Sequence, residues 1–226
     1  MLMASLRFRM RQQYWRWAAP GKISAYLRVA ASPKLQIGAG YNLLSGWLNT
    51  TLYPFAKGTA YLDASQRFPI PSASFDYVFS EHVIEHLEFE EGAMMLSESA
   101  RILQSGGRIR LATPDLAQII ALYAQSSADA QGAYIRWIMD NFRPRIGEYN
   151  PAHVINQSFH GWRHKFIYDE PTLTQSLQQA GFASITRVAP GQSGDENLRG
   201  IEQHGEYVGS EAAMRYETMV FEAVKP

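Results

Sequence analysis

The chain has 226 residues, 46% of them hydrophobic and 19% charged, and it contains no cysteine. Length and composition suit one domain with decorations rather than a disordered chain, and the missing cysteine excludes disulfides, cysteine nucleophiles and thiolate metal sites. Net charge is zero, yet residues 1–34 hold seven Lys/Arg and no acid, and the first acidic residue is Asp63.

Taken in chain order, residues 5–17 and 22–30 read as two helices separated by Pro20-Gly21. They are basic (Arg7, Arg9, Arg11, Arg16, Lys22, Arg28) and aromatic (Phe8, Tyr14, Trp15, Trp17). The first expectation is that such a helix packs its aromatics on the domain; weak contact of residues 1–34 with an anionic membrane surface is the second. The early residues lack a continuous apolar run, so no signal peptide is expected and a cytoplasmic location is the default. The uncharged window from Leu35 to Ala56 contains three glycines, two asparagines and a proline, and reads as strand and loop rather than a membrane span.

Leu35–Gly38 is the first expected strand, Trp47–Tyr53 the second and Gly58–Leu62 the third, ending at Asp63-Ala64-Ser65. Phe75–Phe79 is a compact apolar strand, and Ile84 to Leu103 follows a helical period stopped at Ser105-Gly106-Gly107. Arg108–Ala112 is a further strand, after which Thr113 as N-cap and Pro114 at N1 open a helix. Residues 129–142 read as helix, 143–168 as an irregular cover, Glu170–Ala180 as helix, Ser184–Val188 as strand, 190–212 as a polar loop and Glu217–Val224 as a final strand.

Strands alternating with helices predict an α/β fold with a doubly wound, mostly parallel sheet, an antiparallel final strand and a helical extension over residues 1–33 before a domain over 34–226. Ligands of such sheets sit at the carboxyl ends of the strands. That places Gly38–Asn42, Asp63, Ser80–His82 and Thr113–Asp115 on one rim.

Leu35–Gly40, Gly46-Trp47-Leu48-Asn49, Asp63, Phe68-Pro69, Ser74-Phe75-Asp76, Ser80-Glu81-His82-Val83-Ile84-Glu85-His86-Leu87 and Gly106-Gly107 together resemble the class I S-adenosylmethionine-dependent methyltransferases. More narrowly, the chain is similar to a group of small methyltransferases associated with bacterial glycan assembly, which also shows segments like His164-Lys165-Phe166-Ile167-Tyr168-Asp169. The resemblance implies a Rossmann-like fold, S-adenosylmethionine as cofactor, a small-molecule or glycan acceptor methylated at oxygen, and no nucleic-acid partner. It implies cofactor contacts from Gly38, Gly40, Asn42, Thr51, Asp63, Ala64, Ser80 and Glu81, with Asp63 accepting a hydrogen bond from the adenine amino group. Gln36 and Thr51 stand where the family usually carries acids. Loss of a charge-assisted ribose contact weakens cofactor binding by about 1–3 kcal/mol, so a module that keeps the fold without turnover is the second reading.

His82-Val83-Ile84-Glu85-His86 also satisfies H-x-x-E-H, which on a helix sets two histidines on one face, as a zinc hydrolase needs. This is the third reading, and no metal is expected. Residues 153–168 hold His153, His160 and His164, a candidate substrate lid in which His164 is the first candidate for general base and His82 the second. Arg199, Glu202 and His204 in the late loop are further polar candidates for the site, with surface solvation the favoured reading. The oligomeric state is not written in the sequence.

Overall fold

The computed structural model describes residues 2–124 and 129–226. The chain begins with helix α1 (Leu2–Leu27) and continues through strands β1 (Lys34–Ile37), β2 (Leu48–Thr51), β3 (Ala60–Tyr61) and β4 (Phe75–Glu81). Helix α2 (Phe89–Ile102) and strand β5 (Leu103–Pro114) follow, then helices α3 (Leu116–Ala124), α4 (Asp129–Phe142), α5 (Pro151–Asn156) and α6 (Glu170–Gln179). Strand β6 (Ala183–Val188), helices α7 (His204–Val208) and α8 (Glu211–Glu217) and strand β7 (Thr218–Val224) complete it.

The strands form one sheet in the order β3-β2-β1-β4-β5-β7-β6. The first five are parallel, and β7 runs antiparallel to both β5 and β6. Strand order reverses between β1 and β4, where Ile37 lies opposite Ser80. A doubly wound sheet opens a crevice at that switch point, beyond the carboxyl ends of the strands. Central strands buried on both faces need apolar runs, and Leu35, Ile37, Val78, Ile109 and Leu111 are all buried in the main core.

Several elements depart from their sequence expectations. Residues 2–27 form one helix with Pro20 inside it. An interior proline costs about 3 kcal/mol; here Trp15, Ala19 and Ile23 form an unbroken buried stripe along the helix, and that packing holds it together. The segment after β4 is not one long helix. Ile84–His86 is a single 3-10 turn, and α2 starts only at Phe89. The Glu85 carbonyl accepts the Lys165 and Phe166 N–H groups instead of continuing the helix, and the Glu91 carboxylate accepts the Glu88 N–H at 2.9 Å. Thr113 is not a helix cap, because β5 runs on to Pro114 and Asp115 caps α3 by accepting the Ala117 N–H at 2.9 Å. The cover 143–168 contains α5 and a π turn, with Asn150 accepting the Ala152 N–H, and the loop 190–212 contains α7 and the start of α8.

Helices α3, α4, α5 and α8 share a second, smaller core built from Leu122, Tyr134, Ile135, Ile138, Val154 and Ala213. The segment carrying the first three of these helices leaves the sheet and returns to its point of departure, where the Leu116 N–H donates to the Tyr168 carbonyl at 2.9 Å.

Candidate functional site

A cavity of about 500 Å³ opens at the switch point and is lined by the turn after β1, the turn after β4, and the helical cover. The first turn is fixed from below. Gln36 and Asn49 are buried amides, and Asn49 accepts the Leu44 N–H at 2.9 Å and donates to its carbonyl at 3.0 Å. Gly38 has φ +74°, and a β-carbon there would lie 2.1 Å from Val83 Cγ2, so only glycine allows the two turns to pack this closely. Gly40, φ +52°, has open space where a side chain would start, which leaves its backbone approachable by a ligand.

The second turn is built around charge. Glu81 ends β4, and its two oxygens accept the Gln203 and His204 N–H groups at 3.0 Å each, tying α7 over the cavity; burial pushes its carboxyl up from the usual range. His82 takes a left-handed conformation, φ +49°, uncommon outside glycine and costing of order 1–3 kcal/mol. Its Nδ1 lies 3.1 Å from Glu85 Oε1, and its Nε2 is 3.0 Å from Thr218 Oγ1. Burial opposes charge on His82, but the Glu85 hydrogen bond and the surrounding carboxylates outweigh it and raise its pKa. Burial likewise opposes ionisation of Glu85, and the His82 contact overcomes this and holds it at about 2; Thr113 donates to its other oxygen at 3.1 Å.

Two imidazoles stay neutral. Burial, reinforced by the charge on His82 stacked 3.8 Å away, lowers His204 to about 3. Burial also lowers His164, against the pull of Glu85, and its ring lies edge-on to His86 at 4.9 Å. The opposite wall is aromatic. Trp137 and Trp162 each meet Phe142 edge-to-face, at 5.5 and 5.1 Å. Glu217 accepts a hydrogen bond from Tyr134 behind this wall, and burial raises its pKa. Glu81, Glu85 and Glu217 line the cavity, and no lysine or arginine is among the described lining residues.

The structure therefore brings Gly38, Gly40, Asn42, Glu81, His82 and His164 to one cavity. Thr51, Asp63, Ala64 and Ser80 are not among its lining residues. Thr51 ends β2, Asp63 Oδ1 accepts from the Ser65 N–H and hydroxyl, and Ser80 is buried inside β4. His153 and His160 are exposed on the far side of the cover, so His164 alone of that trio reaches the cavity. His82 and His86 do not share a helix face. His82 precedes the 3-10 turn and faces Glu85 and Thr218, whereas His86 faces His164, which removes the geometry an H-x-x-E-H zinc pair needs.

His204 and Glu202 are not solvated surface groups. His204 lines the cavity, and Glu202 is buried against Arg110, which also pairs with Glu222. Arg199 remains exposed. Trp162 lies in the segment read as a candidate substrate lid and does line the cavity, whereas the wall residues Trp137 and Phe142 had no signal in the sequence beyond helical periodicity and aromatic content.

Residues 48–111 match the family model described as a methyltransferase domain. A S-adenosylmethionine-dependent methyltransferase from Thermotoga maritima aligns with 15% identity over 96% of this chain and 97% of its own, TM-score 0.50, which is a likeness of fold. One from Archaeoglobus fulgidus aligns with 17% identity over 96% and 99%, TM-score 0.49. Phosphoethanolamine N-methyltransferase 2 of Haemonchus contortus, solved with S-adenosyl-L-methionine, aligns with 16% identity over 91% and 52%, TM-score 0.46. No curated protein sequence matches the chain.

Proposed function

We propose that this chain, whose residues 48–111 match a methyltransferase-domain model, is a class I S-adenosylmethionine-dependent methyltransferase that transfers a methyl group to an oxygen of a small or glycan-linked acceptor. The observation that carries this is the make-up of the cavity wall: aromatic faces, imidazoles and carboxylates, with no lysine or arginine among its described residues. Such a wall has no counter-charge for a phosphate group. It offers apolar faces for a sugar ring, and imidazole and carboxylate groups for its hydroxyls.

The residues fit S-adenosylmethionine at the β1 end of the cavity. Gly40 leaves room for close approach, and the Glu81 carboxylate, held by backbone N–H groups rather than by a cationic side chain, gives a negative charge suited to a cation carrying sulfonium and ammonium groups. When bound, the cofactor supplies a methyl group activated on a positive sulfur. Gly38, Gly40, Asn42 and Glu81 would hold its methionyl side, and Thr51, Asp63 and Ala64, at or beyond the ends of β2 and β3 and outside the cavity lining, would take the ribose and adenine.

Transfer is an in-line displacement, so most of the rate comes from alignment of acceptor and methyl carbon in a site closed to water. Trp137, Phe142 and Trp162 orient the acceptor. His164, kept neutral by burial, takes the hydroxyl proton onto a ring nitrogen as the oxygen–carbon bond forms. His82 does not serve as the base, because both its nitrogens are engaged and its pKa is raised; it fixes Glu85 instead.

Labelled methyl transfer to a panel of sugars and glycans tests this. An O-methyl ether whose formation drops in His164→Gln is the expected result, and transfer only to amines overturns the acceptor assignment. The uncharged Gln36 and Thr51, standing where the family usually carries acids, favour a second reading, a cofactor-binding module without turnover. Calorimetric binding of S-adenosylmethionine and S-adenosylhomocysteine with no transfer to any acceptor selects it.

A further inference from the structure

Helix α1 has two apolar stripes on opposite faces. Trp15, Ala19 and Ile23 pack against the sheet edge at β3. Met10, Tyr14 and Trp17, spaced i, i+4 and i+7, point the other way at 54%, 61% and 80% exposure. Phe8, Tyr53 and Phe55 form a separate, partly exposed aromatic cluster on the side of the buried stripe: Phe8 lies 5.7 Å from Tyr53, which stacks on Phe55 at 6.3 Å, and Phe55 meets Trp15 at 5.1 Å. The exposed Arg11 lies over Trp15 and Phe55 beside this stripe and the exposed Arg28 continues its line beyond Trp17, whereas Arg16 and Lys22 turn inward to Tyr61 and the Thr59 carbonyl; no acidic residue occurs before Asp63. The sheet contacts do not need the outer stripe.

We propose that this face docks on an anionic lipid bilayer. The chemistry matches that partner on three counts. Tyrosine and tryptophan are the side chains that settle at the headgroup level. Arginine and lysine beside an apolar ridge lay their stems on it and carry their charges to lipid phosphates. Uniform positive charge disfavours the same face of a second copy of this chain and suits an anionic plane. Among the described residues no helix is long and apolar enough to cross a membrane, so the contact is interfacial.

Tyr53 and Phe55 follow the carboxyl end of β2, and Arg16 reaches Asp63 beyond β3, 3.7 Å away. The part of α1 that carries Phe8 to Arg16 therefore packs beside the carboxyl ends of β2 and β3, at the end of the sheet where the cavity opens. The docking itself does not depend on the identity of the methyl acceptor.

Flotation of the full chain with vesicles of phosphatidylcholine, with and without phosphatidylglycerol, tests the proposal. Binding to the anionic vesicles only is expected. It weakens about fivefold for each of Arg11→Gln and Arg28→Gln and roughly tenfold for Trp17→Ser, and it falls with added salt. These side chains stand in solvent, so circular dichroism of each variant stays that of the parent. The proposal is overturned if anionic vesicles do not float the chain, or if Tyr14→Ser with Trp17→Ser leaves flotation unchanged. It is equally overturned if sedimentation shows the stripe consumed in a dimer that Trp17→Ser dissociates, or if RNA binds through the same residues while vesicles do not.

Discussion

His82 Nδ1 and Glu85 Oε1 lie 3.1 Å apart in a buried ion pair formed across the turn that follows β4. Each group is held charged by the other. Glu85, lowered to about 2 from 4.5, contributes stability that is present above pH 4.5 and is lost as pH falls toward 2. His82, raised above 6.5, contributes stability that is full below 6.5 and is lost as pH rises through its folded value. His82→Gln leaves a buried carboxylate unpaired and is expected to cost about 3–5 kcal/mol. That cost, followed as the drop in melting temperature relative to the parent, is largest between pH 4.5 and 6.5 and shrinks at higher pH. A drop that stays the same at high pH contradicts a charged His82.

His164→Gln is expected to lower kcat by roughly 10²–10⁴-fold, the usual range for a lost general base, while the calorimetric affinity for S-adenosylmethionine stays unchanged. Because the pKa of His164 is lowered, the acid limb of the parent's rate profile falls below pH 6.5 and disappears in the variant. A variant with parental kcat removes His164 from the chemistry and leaves positioning as its role.

Gly38→Ala is expected to destabilise the fold by about 2–4 kcal/mol, through contact with Val83 and a side chain placed at φ +74°. Adding Val83→Ala relieves the contact but not the backbone strain, so chemical denaturation of the double variant shows partial recovery. Full recovery or none refutes the division.

Glu81→Ala removes the acceptor of the Gln203 and His204 N–H groups. Hydrogen exchange at these two amides is expected to speed up by one to two orders of magnitude, consistent with a loss of about 1.5–3 kcal/mol for hydrogen bonds to a charged group. Protection unchanged from the parent would show that α7 is held from elsewhere.

Asp63→Ala is expected to weaken S-adenosylmethionine binding about tenfold, with S-adenosylhomocysteine affected equally, because both carry the same adenine. Parental affinity moves the adenine contact away from the β3 tip.

The sheet was readable in the sequence because its signals are local. Leu35–Gly40 and Phe75–Glu81 are apolar runs ending in glycines or polar residues, and each became a strand tip beside the cavity. Of the aromatic wall, Trp162 stands two residues from His164 at 5.8 Å inside the segment read as a lid, whereas Trp137 and Phe142 join it only through the packing of α4, and helical periodicity does not say which face meets what. His204 and Glu202 were misread as surface groups because their partners, Glu81 and Arg110, lie 123 and 92 residues away. The long helix expected after His82 failed for a related reason: Lys165 and Phe166 capture the Glu85 carbonyl from a distant segment.

The hydrogen bond from Leu116 to the Tyr168 carbonyl makes residues 116–168 a closed excursion whose two ends meet at the sheet. The second core is thus carried mainly by one stretch of chain that leaves and rejoins the sheet at a single point, and it is tied to the rest by α8 and by the Lys165 and Phe166 N–H groups on the Glu85 carbonyl.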